Sequence, residues 1–292
     1  VTANNVTVDL MGYNITGDDG TSDFGIFSNG VNGTKVRNGT IRNFGVGINF
    51  TNSDNGSVSN LEINSSSVYS VYIGGNSDLN NVSINSSEPT KEDVLVVGNN
   101  NRVGGNFSST NSKVAINMTG ASKTIYLFEN SSFNNSNGDG SAINVGANNV
   151  VVDFDGYSIT GDNNTATSQN AYGVYVNGYN YTTVRNGSVY EFDQGIYSYD
   201  AYHTRITDMA ISRNVDGGVY ISASSASVLI NNSVDDSTVS SNFGYSSGNE
   251  YGVEVGVNNV SLSGNTITGH VSYGIYASAS NLTIFNNNVN SN

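Results

Sequence analysis

The chain of 292 residues carries 34 Gly, 49 Asn and one Pro, with no Cys and no Trp, which excludes a collagen repeat and a disulfide scaffold. Charged residues make up 12% and the net charge is −14, so there is no basic surface for phosphates and nucleic acid is not an expected partner. No apolar run approaches 18 residues, so no membrane span is expected.

A sparsely charged, Asn-rich chain resembles a disordered one in composition, but its apolar residues are patterned. From the start, Val6-Thr7-Val8-Asp9-Leu10 alternates as a half-buried strand does. Gly or another small residue, then Ile or Val, then often Tyr recurs along the chain. Its apolar members are Ile26, Ile48, Val71, Ile116, Ile143, Val174, Ile196, Val219, Val253 and Ile275, and several are 22 or 23 residues apart. Gly and Asn interrupt every short run, leaving no room for a helix.

Between these markers lie apolar pairs five residues apart: Val36/Ile41, Val58/Ile63, Leu79/Ile84, Val184/Val189, Ile206/Ile211, Leu229/Val234, Leu262/Ile267 and Ile284/Val289. Two residues after each first member stand Asn38, Asn60, Asn81, Asn186, Asp208, Asn231, Gly264 and Asn286. Asn, Asp and Gly tolerate a left-handed backbone, so these positions predict bends that keep both apolar neighbours inward. The Asn members (Asn38, Asn60, Asn81, Asn186, Asn231, Asn286) are expected to point inward and form a hydrogen-bonded ladder from coil to coil. On a larger scale, Ala3-Asn4-Asn5-Val6 recurs as Ala147-Asn148-Asn149-Val150, and Val36-Arg37-Asn38-Gly39 as Val184-Arg185-Asn186-Gly187. The chain therefore reads as a single domain of two tandem halves, about 1–140 and 141–292. The predicted fold is an all-β parallel β-helix of about twelve coils with essentially no helix, roughly 58 Å long at ~4.8 Å per coil.

The runs Gly156-Tyr157-Ser158-Ile159-Thr160-Gly161, Thr183-Val184-Arg185-Asn186-Gly187-Ser188-Val189 and Leu282-Thr283-Ile284-Phe285-Asn286-Asn287-Asn288-Val289 resemble right-handed parallel β-helix repeats of the NosD-like and pectate-lyase-like superfamily. The resemblance spans nearly the whole chain and implies a prokaryotic surface protein of archaeal type. The superfamily holds lyases, hydrolases, epimerases, fibres and surface glycoproteins, so it implies fold rather than chemistry.

The residues favour no single chemistry. A glycosidase needs two carboxylates across a cleft. Asp9 and Asp153 are repeat-equivalent strand residues, and Asp208 occupies a bend. His203, Arg205, Asp208 and Asp235 form the most enzyme-like set, without the paired-Asp, His and Arg-Lys motifs of polygalacturonases. Arg37 and Arg185 recur at one repeat position, which suggests an outward structural role. Asp18, Asp19 and Asp23 share a Gly-containing loop whose oxygens suit calcium, or else form a solvated turn. No other cofactor is indicated.

Tyr175, Tyr197, Tyr220 and Tyr276 each follow an inward Val or Ile and should face outward, either as a self-stacking ladder or as a platform for sugars or a neighbouring subunit. Asn-X-Ser/Thr occurs 19 times, with Asn55, Asn130, Asn134 and Asn163 the favoured loop sites for glycosylation. Long loops near 129–140, 161–172 and 237–251 are further contact candidates. The chain begins inside a repeat and stops soon after Val289, which suggests continuation in a longer chain or end-to-end self-association. The expected function is an extracellular structural protein, a subunit or segment of a surface layer, sheath, fibre or filament that contacts glycans. The rival is a polysaccharide-binding module, lyase or hydrolase.

Overall fold

The computed structural model describes residues 1–87, 92–109, 114–120, 123–135, 140–162, 171–224, 232–235, 237–240 and 251–290. Asn163, Asn231 and most of the expected contact loops lie outside them. The described residues form a parallel β-solenoid with no helix, and so none long and apolar enough to cross a membrane. Two sheets carry the fold among these residues, one of eighteen strands and one of eleven. The eleven rungs of the second sheet correspond to about ten turns, slightly fewer than the twelve coils expected.

The marker residues form one column. Ile26, Ile48, Val71, Val94, Ile116, Ile143, Val174, Ile196, Val219, Val253 and Ile275 are paired in succession. All but the last are buried. Val94 is the rung that the sequence pattern missed. On the eighteen-stranded sheet the pairs Val36/Ile41, Val58/Ile63, Val184/Val189, Ile206/Ile211 and Leu262/Ile267 are likewise buried, and Ile284 and Val289 on the last rung are exposed. The continuous core is thus two facing walls of branched side chains, and each fully buried member contributes roughly 1.5–3 kcal/mol.

The bends adopt the expected conformation, with φ of 61° at Asn38, 50° at Asn60, 60° at Asn186, 54° at Asp208, 68° at Gly264 and 54° at Asn286. Two expectations fail there. Asn81 is not a bend residue: it pairs with Ser57 at the start of its strand, Val82 fills the core position, and Leu79 is 55% exposed. The bend amides also point outward. Asn60, Asn186 and Asn286 are exposed and Asn38 is half-buried. Short stretches still join, since Asn60 donates to Asn38 at 3.4 Å and Asn38 to Asp9 at 3.1 Å. An inward amide here would face a wall of Val and Ile with no partner, which burial penalises.

The regular ladder stands at another corner. Asn4, Asn32, Asp54, Asp78, Asn99, Asn148, Asn180 and Asn258 each turn a side-chain oxygen onto a backbone N–H of the next coil, at 2.6–2.9 Å. The residue that follows each of them is left-handed: Asn5, Gly33, Asn55, Leu79, Asn100, Asn149, Tyr181 and Asn259. Each oxygen satisfies a corner N–H that the strand ladder cannot reach.

The small residue of the marker has a steric cause. Gly25, Gly47, Ser70, Asp93, Ala115, Ala142, Gly173, Gly195, Gly218, Gly252 and Gly274 precede the inward column, and the registered pairs skip them. Strands such as Tyr69–Ile73 bury two consecutive residues here before alternation resumes. A Cβ on Gly173 would lie 2.3 Å from Val189 Cγ1 and 2.5 Å from the Gly195 carbonyl oxygen. Gly173→Ala is therefore expected to destabilise the chain by about 1–3 kcal/mol, read as a lower urea midpoint, because the wall opposite cannot retreat. An unchanged midpoint would show that this corner is loosely packed.

Candidate functional site

The skipped corner residue shifts the phase of alternation, so residues three apart share the outer face of the eleven-stranded sheet. Tyr172 and Tyr175 both emerge there and are half-buried. Tyr175, Tyr197 and Tyr220 are paired in succession, then Glu254 and Tyr276. Ring centroids are 5.3 Å apart for Tyr175 and Tyr197, inclined by 12°, and 4.8 Å for Tyr197 and Tyr220, inclined by 5°. Tyr172 leans on Tyr197 at 4.7 Å, and Tyr199 approaches it at 6.0 Å. Beyond Glu254 a second cluster gathers Tyr251, Tyr273 and Tyr276, with Tyr251 and Tyr276 at 4.7 Å. The expected stripe exists and is wider than alternation predicted, since Tyr172, Tyr251 and Tyr273 belong to it through the phase shift. Aromatic contacts of this kind contribute about 0.5–1.5 kcal/mol each.

Burial, followed by the neighbouring phenols, raises the Tyr197 hydroxyl well above its usual range. Burial also raises the Glu254 carboxyl that interrupts the stripe. Below Tyr175 the same column continues as Asn144, Asn117 and Leu95. Asn144 Nδ2 donates to Asn117 Oδ1 at 2.8 Å, and Asn117 Nδ2 donates to Glu92 Oε1 at 3.1 Å. Where the amides meet the rings, Val114, Gly140, Ser141, Asn144, Tyr172 and Tyr175 line an open cavity of about 220 Å³.

The other candidates are placed as follows. His203 sits at a left-handed corner, φ 58°, with its ring stacked on Tyr181 at 4.6 Å and 7°. Asp208 is exposed and accepts from Thr207 Oγ1 at 3.1 Å. Arg205 is an exposed strand residue, and the backbone of Asp235 pairs with Thr207. His203 and Asp208 thus occupy successive corners with separate partners.

Asp9 and Asp153 hold Arg37 and Arg185 across one coil step at 2.9 and 2.8 Å, the same structural pair in each half. The Asn38 amide, then the Met11 N–H, hold the Asp9 carboxyl below its usual range. Arg102 reaches Asp155 at 3.4 Å over the Tyr126 ring, and Arg213 reaches Glu191 at 2.8 Å over Tyr190.

In the acidic loop Asp18 accepts from Gly20 N–H, Asp23 accepts from Gly45 N–H, and Asp19 takes a left-handed φ of 64°. These contacts orient the loop, and among the described residues no three His, Asp or Glu side chains gather to hold a metal ion. Asn55 and Asn134 are exposed. Asn130 is exposed as well, but its Oδ1 accepts from both the backbone N–H and the hydroxyl of Ser158.

Stacked coils, aligned core columns and corner ladders define a parallel β-helix repeat protein. The right handed beta helix region family matches residues 114–292, and the chain belongs to that family. Among solved structures, the A-module of the mannuronan C-5 epimerase AlgE6 from Azotobacter vinelandii is similar at a TM-score of 0.50 and 17% identity, covering 96% of this chain and 80% of that one. The alginate lyase AlyF-OU02, solved as a complex with G6, reaches a TM-score of 0.40 and 12% identity, covering 97% of this chain and 57% of the lyase. No curated protein sequence matches. At these identities the likeness is one of fold.

Proposed function

We propose that this chain is a non-catalytic structural rod of an extracellular surface assembly, with the tyrosine face as its contact surface. What supports the reading is where the reactive side chains are spent. Asp9, Asp153, Asp155 and Glu191 are bound to arginines on neighbouring coils, and the corner Asn and Asp oxygens bind the next coil's backbone. The tyrosines stack along the axis. Each of these contacts joins one turn to another, which stiffens a rod and ties up the groups that make it. The Asn-X-Ser/Thr sites at Asn55 and Asn134 offer exposed positions for glycans, which suits a secreted chain.

The rival, polysaccharide modification, draws support from the epimerase-like fold alone. Incubation with neutral polysaccharides, mannuronan and pectate separates the two readings. A structural rod is expected to leave no new reducing ends, no unsaturated products and no C-5 epimerised residues, and antibody labelling of intact source cells is expected to decorate their surface. Turnover of any of these polymers, or labelling confined to the cell interior, would overturn the proposal.

A further inference from the structure

We propose that the cavity at the foot of the tyrosine stack binds one ring of an uncharged hexose polymer. Three features carry this. First, ring faces inside the stack cover one another, as the 5° inclination of Tyr197 and Tyr220 shows, so a ligand cannot stack there. Tyr175 is the lowest tyrosine of the column: the residue below it is Asn144, Tyr172 packs beside it at 4.9 Å and 32°, and the cavity opens against both rings. Aromatic rings lining a cavity beside polar groups suit a sugar, which offers a C–H face and hydroxyl edges together.

Second, the amide ladder runs in one direction. Asn144 donates down to Asn117, and Asn117 donates down to Glu92. The ladder therefore finishes with the Asn144 carbonyl oxygen at the level of the rings, where the next rung supplies Tyr175 in place of another amide. A sugar hydroxyl donating to that oxygen would extend the ladder by one member, with Ser141 beside it.

Third, charge selects the sugar. Glu92 accepts at the foot of the ladder and Glu254 interrupts the stripe three rungs above Tyr175, within a chain of net charge −14. An acidic ring would meet repulsion from this face, whereas a neutral hexose would not. The inference goes beyond the scaffold role and would stand if that role were disproved.

The test is calorimetric titration of the intact protein with neutral α-linked and β-linked glucohexaoses, a neutral mannohexaose and, as the acidic probe, hexamannuronate. Tyrosine emission can be followed in parallel, since the chain has no Trp. At least one neutral hexaose is expected to bind saturably, with hexamannuronate at least about tenfold weaker. Tyr175→Ala and Asn144→Leu are each expected to weaken binding about tenfold, Tyr175→Phe to retain it, and Tyr13→Ala, on a separate exposed site, to leave it unchanged. Thermal melts report folding, and Asn144→Leu alone decides the matter should Tyr175→Ala unfold. Saturable binding by none of the neutral hexaoses, indifference to both cavity variants, or tighter binding of hexamannuronate would each overturn the proposal.

Discussion

Asp93→Asn is expected to remove a fall in stability of about 4 kcal/mol that the wild-type chain suffers between roughly pH 4 and pH 7. Asp93 is fully buried in the column otherwise filled by Gly, Ser and Ala, and neither carboxylate oxygen has a hydrogen-bond partner. Burial pushes its pKa up to about 7, and the nearby Ser86 hydroxyl, engaged with Ser70 at 2.6 Å, offsets only part of that. In the unfolded chain the same group ionises near 3.8. Between those values the folded state keeps a proton that the unfolded state has released, so unfolding becomes easier as pH rises, and the loss levels off above pH 7.

The neutral, nearly isosteric amide has nothing to release, and its urea midpoint is expected to match wild type near pH 4 and exceed it clearly at pH 8. Asp216 and Glu254, also raised by burial, tilt stability in the same direction, so the difference between the two proteins isolates Asp93. His270 acts oppositely. Burial lowers its pKa, so its contribution weakens as pH falls below about 6.5 in both proteins. Equal pH slopes for wild type and variant would show that Asp93 is solvated or paired.

Asp93 also shows what a sequence pattern can and cannot carry. Ten members of the inward column were legible because Ile or Val follows a small residue at a near-constant interval, and core volume must repeat wherever coils stack. Val94 escaped because Asp93 stands where the marker has Gly, Ser or Ala, a substitution that burial alone would discourage. Tyr175, Tyr197 and Tyr220 were legible from alternation, and Tyr172 was not, since the alternation slips at Gly173 for a reason lying across the core on Val189. The cavity could not be read at all. Its residues come from three coils, and their meeting depends on loop lengths that vary from coil to coil.

Left-handed tolerance located the corners from residue type, yet the direction of a corner side chain is set by partners some twenty to thirty residues away. Asn80 is the telling case. It is buried, its Oδ1 accepts from Gly56 N–H at 2.7 Å, and its Nδ2 donates to the Ser53 carbonyl at 3.0 Å and to Asn101 Oδ1 at 3.1 Å. Asn101 in turn donates to the Ser77 carbonyl at 3.0 Å. These inward amides are tolerated because backbone groups of two coils meet them, a condition that the Val and Ile walls at Asn60 do not offer.

Asn80→Leu is therefore expected to cost about 3–5 kcal/mol, because it takes the side-chain partner from a buried N–H and a buried carbonyl while adding no compensating bond. Asn60→Gly should change stability by no more than about 0.5 kcal/mol. It loses one exposed contact of 3.4 Å and keeps a φ of 50° that glycine adopts freely. Urea unfolding of both variants at one pH measures the contrast. Comparable losses at the two sites would mean that corner amides stabilise the rod through exposed coil-to-coil bonds. A large gap assigns the work to interior amides that satisfy backbone groups where the strand ladder turns aside.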